Sequence, residues 1–487
     1  MRTKAFRGHS ASLFRLYIQT DSSTPQAGPS LPRAQRLHSL VASPFFLRAS
    51  ILGMMSRPLS TPRFFLSCAL AVAAVSLLCP GARAAPLNIW HHRSRPLVVG
   101  YFPGWGQSNA EPFYVKTMIT NHSVKLLDQL NYSQGSVAGG HCSVANRKND
   151  LDTIYTRANS VNGRADNVHS PFRGYFHQLK ELKLRHPHLK ILISLEGAPA
   201  GFAQGAKPEN RRAFVASCVD TFLRGHFAPG IHEPGIFDGF DIDWESPQQN
   251  EAADFLALVT EFRRQMDALR PGLRLSIAVG DAPQMLPGTN FAALSSLVDQ
   301  VGIMNYDYTG PWSDTTGFIA PLYSSPEDPG RSNSIEQSIA SYQALGVPLK
   351  KMLMGLPFYG YSWTRVDDVN DGLFQSGKGV HGDKPYRDIR ALAASSSVHR
   401  DPRSRAPWLF DGEIFWTYED PVSVRYKVSY AANQHLAGIM IWELSGDTTD
   451  AELLRVAHRS LRRPMDTSDV EETAAESLPA SSTSPLN

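Results

Sequence analysis

A chain of 487 residues with 42% hydrophobic and 10% aromatic composition can bury a large core, as one barrel-sized domain or as two or three smaller ones. Its formal net charge of +3 hides an uneven distribution: residues 1–85 carry ten Arg or Lys and one acid, Asp21, leaving 38 basic and 44 acidic residues beyond them. That acidic balance of −6 argues against the clustered basic footprint that nucleic-acid binding requires, and keeps a neutral polymer among the possible partners.

Residues 1–53, rich in Arg and Ser and poor in acids, suit a transit peptide, but suit better a start codon assigned too early, with initiation at Met54 or Met55. After Arg57 and Arg63 comes FFLSCALAVAAVSLL, an apolar run of 15 residues from Phe64 to Leu78. The run is too short to span a bilayer comfortably, and Ala82-Arg83-Ala84 puts small residues where a signal peptidase reads. Residues 54–84 therefore read as a signal peptide and the protein as secreted. A membrane anchor is the alternative, but no second apolar span follows, so no stable anchor is expected. The chain is read as a monomer. Cleavage would remove Cys68 and Cys79 and leave Cys142 and Cys218, which form a disulfide or remain two buried thiols.

Eight apolar, β-prone runs follow in order: LVVGYF (97–102), LLDQLNY (126–132), KILISL (190–195), FDGFDIDW (237–244), RLSIAV (274–279), QVGIMNY (300–306), KMLMGLPF (351–358) and LAGIMIWEL (436–444). Most are continuous rather than alternating, as strands covered on both faces are. Between them, segments such as RGYFHQLKELKLRHP, NRRAFVASCVDTFLRG and EAADFLALVTEFRRQMDALRP space apolar residues three and four apart, the mark of amphipathic helices. The alternation predicts a (β/α)8 TIM barrel over 95–463, although an open doubly wound sheet shares the pattern. Thr364 to Trp408, polar and loop-rich, reads as a small insertion between strands 7 and 8. The tail 466–487, with five acids and no base, reads as disordered. No spacing suits zinc: His91-His92, and His186 with His188, sit beside Arg and Pro as in surface turns, so no metal or cofactor is expected.

The fourth run, FDGFDIDWE, places Asp238, Asp241, Asp243 and Glu245 in a segment whose other residues belong in a core. Residues two apart share a face, so Asp241, Asp243 and Glu245 stack in a column while Ile242 and Trp244 point away. Carboxylates this close cannot all ionise cheaply. A retained proton raises at least one pKa, which is how a carboxyl serves as general acid near neutrality. A calcium loop would interleave flexible polar residues, not Ile and Trp; a solvated acidic strand end is the other alternative.

The segment resembles the D-G-x-D-x-D-x-E signature of family 18 glycoside hydrolases, the chitinase family. VGYFPGW, ILISLEG, MNYDYTGPW, GLPFYGYSW and IMIWELSGD extend the resemblance from about Leu97 to Asp447. It implies a barrel with Glu245 as general acid. The substrate's own acetamido oxygen acts as nucleophile, an exception to the two-carboxylate scheme. Asp243 would hold the acetamido N–H, Asp241 would tune the pair from below, and Asp238 would be structural. Tyr306 would donate to the acetamido oxygen, with Met304 and Asp307 lining the same subsite. Trp442 would floor the sugar at the cleavage point, Tyr101 and Ser194 would support the column, and Trp105 and Trp312 would be outer stacking platforms. The implied partner is chitin or N-acetylglucosamine oligomers.

Two departures stand out. The family's S-x-G-G on the third strand is here Ser194-Leu195-Glu196-Gly197, and Tyr361 stands where an Arg often follows Tyr-Gly. Glu196 is expected to perturb the acid column. The alternatives to a chitinase are an endo-β-N-acetylglucosaminidase acting on N-glycans or peptidoglycan sugars, and a chitinase-like lectin, which typically lacks one of the acids kept here.

Overall fold

A computed structural model describes residues 95–245, 247–330, 333–393 and 395–465; the expected signal segment and acidic tail lie outside them. The eight runs become the parallel strands β1 (Leu97–Pro103), β2 (Gln129–Ala138), β3 (Lys190–Glu196), β4 (Gly239–Ile242), β5 (Arg274–Val279), β6 (Gln300–Ile303), β7 (Met352–Pro357) and β8 (Gly438–Trp442). Each pairs with its sequence neighbours, and β1 pairs with both β2 and β8, which closes the sheet. The (β/α)8 barrel is therefore the observed architecture, and the open doubly wound sheet is excluded.

Four strands, β4, β6, β7 and β8, are shorter than their apolar runs. In the fourth run, pairing covers only Gly239–Ile242, with single flanking bonds from Asp238 N–H to Ile191 O and from Asp243 N–H to Leu195 O. In the sixth, it stops at Ile303, ahead of Met304. There too a single bond, from Met304 N–H to Val279 O at 2.9 Å, carries the ladder one residue further, and Glu245 and Tyr306 follow just beyond the two ladders. Between strands lie helices Gly174–Arg185, Arg211–Cys218, Ala252–Leu269, Ile335–Ala344 and Pro421–Asn433, and a last helix, Glu452–Arg462, packs after β8. Their buried faces carry the apolar positions seen in the sequence, such as Phe255, Leu258, Val259, Phe262 and Met266 on Ala252–Leu269.

The insertion is larger and more regular than a loop-rich segment. Strands Tyr359–Thr364, Lys378–Pro385, Ser397–Arg400, Pro407–Phe410 and Phe415–Thr417 form a five-stranded antiparallel sheet, with helix Tyr386–Leu392 within it. It begins two residues after β7 and meets the barrel through Trp363 Nε1, which donates to Ser313 O at 2.8 Å, and Thr417 Oγ1, which accepts from Ile319 N–H at 2.8 Å. At its far end Glu419 forms an ion pair with Lys427, both side chains fully buried.

Cys142 and Cys218 are disulfide-bonded, joining a strand antiparallel to β2 (His141–Val144) to the end of helix Arg211–Cys218. Closing a loop with a sequence separation of 76 restricts the unfolded chain by about 4 kcal/mol on the chain-entropy account. At the base of the barrel, Arg462 donates to Pro96 O at 2.5 Å and to Asp128 at 3.0 Å, which ties the last helix to the start of β1.

Candidate active site

The acid column rises through the barrel axis at the carboxyl ends of the strands, the face where barrel enzymes assemble their sites. Its lowest member, Asp241, is 1% exposed and lies in a ring of neutral donors. Tyr101 Oη (2.6 Å) and Ser194 Oγ (3.0 Å) donate to Oδ2, Ser276 Oγ (2.5 Å) donates to Oδ1, and Asn131 adds a further bond. These come from β1, β3, β5 and β2, so four strands converge on one carboxyl. Burial raises its pKa nonetheless, and the four donors limit the rise.

One level higher the environment inverts. Asp243 is 7% exposed, yet its Oδ1 has no hydrogen-bond partner among the described residues. Burial pushes its pKa well above the carboxylate range, and the charges of Glu245, Glu196 and Asp241 push it further. Glu245, at the mouth, keeps exposed surface, while partial loss of water around its carboxyl raises its pKa too. A reachable carboxyl above a buried, donor-starved one is an arrangement that stores a proton and can deliver it.

Tyr306, from the end of β6, is buried in the field of Asp243, Asp307, Glu245 and Asp241, which together with burial hold its hydroxyl firmly protonated and able to donate. Asp307 has a left-handed backbone (φ 63°), a conformation Asp tolerates better than most residues. Its carboxyl accepts from Tyr359 Oη at 2.6 Å and from Tyr361, yet burial lifts its pKa to about 6. The Tyr at 361 thus supplies a neutral donor where a cation was in question. Met304 is half-buried against the core beside them.

Three tryptophans separate by position. The Trp442 ring lies 5.3 Å from that of Tyr101 and 6.2 Å from that of Trp105, so these form one aromatic floor beside Asp241. Trp312 stands apart, 44% exposed, its ring centroid 5.4 Å from that of Tyr361 in a T-shaped pair. Asp238 is not in the column. It sits at the opposite end of β4, where it accepts from Lys183 Nζ at 2.5 Å and Ile191 N–H at 2.9 Å and anchors the strand's base.

Sequence reading missed Asn131 and Ser276, each a polar residue set between two buried apolar ones (Leu130 and Tyr132, Leu275 and Ile277), a signal that could have found them. It also missed Glu443, which follows Trp442, accepts from the N–H and Oγ of Ser445, and has its pKa lifted to about 7 by burial. Among the described residues no group of three or more His, Cys, Asp or Glu is arranged to hold a metal ion. His186 and His188 have ring centroids 5.9 Å apart and stand outside the column, while His91 and His92 lie outside the described residues.

Against known proteins, the model of the family described as Glycosyl hydrolases family 18 matches residues 97–447. The chain belongs to glycosyl hydrolase family 18. Among its relatives, Chitinase 63 of Streptomyces plicatus is 30% identical over 377 residues, 75% of this chain and 60% of that protein. The chain thus spans about three-fifths of that relative's length. The catalytic domain of psychrophilic chitinase B from Arthrobacter TAD20 superposes with a TM-score of 0.71 at 29% identity, covering 76% of this chain and 96% of that one. A family 18 N-acetylglucosaminidase from Paenibacillus barengoltzii gives a TM-score of 0.60 at 27% identity, over 75% and 99% of the two chains.

Proposed function

We propose that this family 18 hydrolase is a secreted chitinase that cleaves β-1,4 bonds between N-acetylglucosamine units with retention of configuration. The observation that carries the reading is the bare Oδ1 of buried Asp243 beneath the accessible carboxyl of Glu245. A buried acceptor lacking a donor is costly unless a ligand supplies one, and an acetamido N–H is such a donor. The chitinases among its relatives make chitin-type oligomers the substrate class to test first.

In this reading Glu245 protonates the glycosidic oxygen as the anomeric bond breaks. The acetamido oxygen of the same sugar closes on the anomeric carbon to give an oxazolinium ion, its N–H held by Asp243 and its oxygen by Tyr306. The Glu245 carboxylate then takes a proton from the water that reopens the ring, restoring the acid. Trp442 supports the distorted sugar from below. A lectin would have no use for an intact column of acids.

The test is hydrolysis of N-acetylglucosamine oligomers by the chain lacking residues 1–84, beside Glu245→Gln, with the fresh product's anomer read by NMR. A β product that disappears in the variant supports the reading. An α product refutes retention, and oligomer binding without cleavage by the parent points to a lectin.

A further inference from the structure

The family 18 reading leaves Glu196 without a task, and its placement is tightly fixed. On the β3–β4 ladder Ser194 stands opposite Asp241 and Leu195 opposite Ile242, and Leu195 O accepts from the N–H of Asp243. Ser194 turns its hydroxyl onto Asp241. Two residues on, Glu196 is on the same face and level with Asp243. Gly197 pins the backbone beyond it, since a Cβ there would lie 2.3 Å from Val137 O. On the other side, β2 contributes Ser133, whose Oγ donates to Glu196 Oε1 at 2.6 Å, and Ser136, its partner in register. Helix Pro199–Ala206, which follows, has no titratable side chain. The titratable groups facing Glu196 from its packed neighbours are therefore Asp241, Asp243 and Glu245, all on β4 or at its end.

The two levels of the column are thus built differently. Asp241 is served by four neutral donors, whereas Asp243 is flanked by a carboxyl on each side and has a bare oxygen. We propose that Glu196 is a positioning residue of the catalytic centre: a third carboxyl that shares protons with Asp243 and Glu245 and, once ionised, holds Glu245 in its acid form to higher pH than the pair alone would. Its own carboxyl, lifted to about 7 by burial and by Glu245 and Asp241, titrates in the range where this matters. The charge acts through space on Glu245, so Glu196 need not touch substrate. Its consequence for rate rests on the chitinase reading above; its consequence for proton binding does not.

The experiment compares the parent with Glu196→Gln, which keeps the Ser133 contact without the charge, and Glu196→Asp, which restores the charge. Normalised kcat/KM against pH on a chito-oligomer should show the alkaline limb of the Gln variant displaced to lower pH by about one unit, roughly tenfold in relative rate on that limb. The Asp variant should recover part of the displacement. A Gln profile superimposable on the parent's, or one lowered equally at every pH, overturns the proposal. Carbon-13 titration of the side-chain carboxyls provides a readout without turnover: the midpoints of Asp243 and Glu245 should fall in the Gln variant. If the parent proves inactive, the chitinase reading fails by itself, while unchanged midpoints refute the role of Glu196. Should the Gln variant not fold, Glu196→Ala, which also lacks the charge, takes its place, and Asp243 and Glu245 midpoints equal to the parent's overturn the proposal.

Discussion

Tyr101 on β1 donates a 2.6 Å hydrogen bond to Asp241 on β4, joining through the barrel interior two strands that do not pair with each other. Tyr101→Phe keeps the ring against Trp442 and removes only that donor. A hydrogen bond to a charged group contributes about 1.5–3 kcal/mol, so the variant should unfold a few degrees lower and turn over about tenfold more slowly. An unchanged melting temperature and an unchanged kcat, measured together, would show the bond contributes nothing.

Stability should fall as pH rises from about 4 to 7. Glu196, Asp150 and Glu443 have folded pKa values lifted to about 7 by burial. Across that window the folded chain holds protons that the unfolded chain has released, so folding is favoured at the acid end and the advantage is lost as pH passes 7. Calorimetric melting at pH 5 and pH 8 checks this, with the higher Tm expected at pH 5. For Asp150→Asn, which removes one of these groups, the Tm difference between the two pH values should shrink.

The Lys427–Glu419 pair, buried on both sides, gives an asymmetric prediction. Lys427→Met alone strands a buried carboxyl and should destabilise by about 3–5 kcal/mol, whereas Lys427→Met with Glu419→Leu should recover most of that loss. Urea unfolding of the two single variants and the double variant closes the cycle. A double variant whose loss equals the sum of the two single losses would show that the sites do not interact.

The outer platform can be tested at one side chain, Trp312, which follows β6 and meets the insertion at Tyr361. Removing 366–405 instead would take out strand Lys378–Pro385 and helix Tyr386–Leu392 and unmake the sheet that carries Tyr359 and Tyr361. Trp312→Ala removes a 44% exposed ring that lies outside the sheet and packs on Tyr361. KM for long oligomers should rise about three- to tenfold, in line with about 0.5–1.5 kcal/mol for an aromatic contact, while KM for the shortest cleaved oligomer stays put. An equal rise on both would remove Trp312 from the outer platform.

The barrel was legible because its strands are buried on both faces, so LVVGYF or RLSIAV is a continuous apolar run that no surface strand would tolerate. The insertion was not, for the converse reason. KGVHGDKP is a mostly exposed strand held by backbone bonds to Tyr359–Thr364, and its side chains carry little of the signal that burial writes into sequence. Within the site, the acid column could be read because carboxylates in a core strand are conspicuous. Asn131 and Ser276 were passed over because a single amide or hydroxyl in a strand is unremarked until its partner, on another strand, is known. The disulfide lay between the two: two cysteines could be counted, and their pairing depended on a strand, His141–Val144, that no apolar run announces.

The bond from Arg462 to Pro96 O brings the two ends of the barrel within one arginine side chain of each other. Chain order and three-dimensional order are thereby separable. A linker of a few residues could join Met465 to Arg95, and new ends could be opened at Gly272, an exposed turn where a Cβ would meet no atom within 4 Å. That turn enters β5 from the base, away from the acid column, so a circular permutant would synthesise β5 through β8 first and leave the carboxyl-end face as it is. Such a chain would ask whether the barrel needs β1 first in order to close, since in the permutant β1 arrives only after β8.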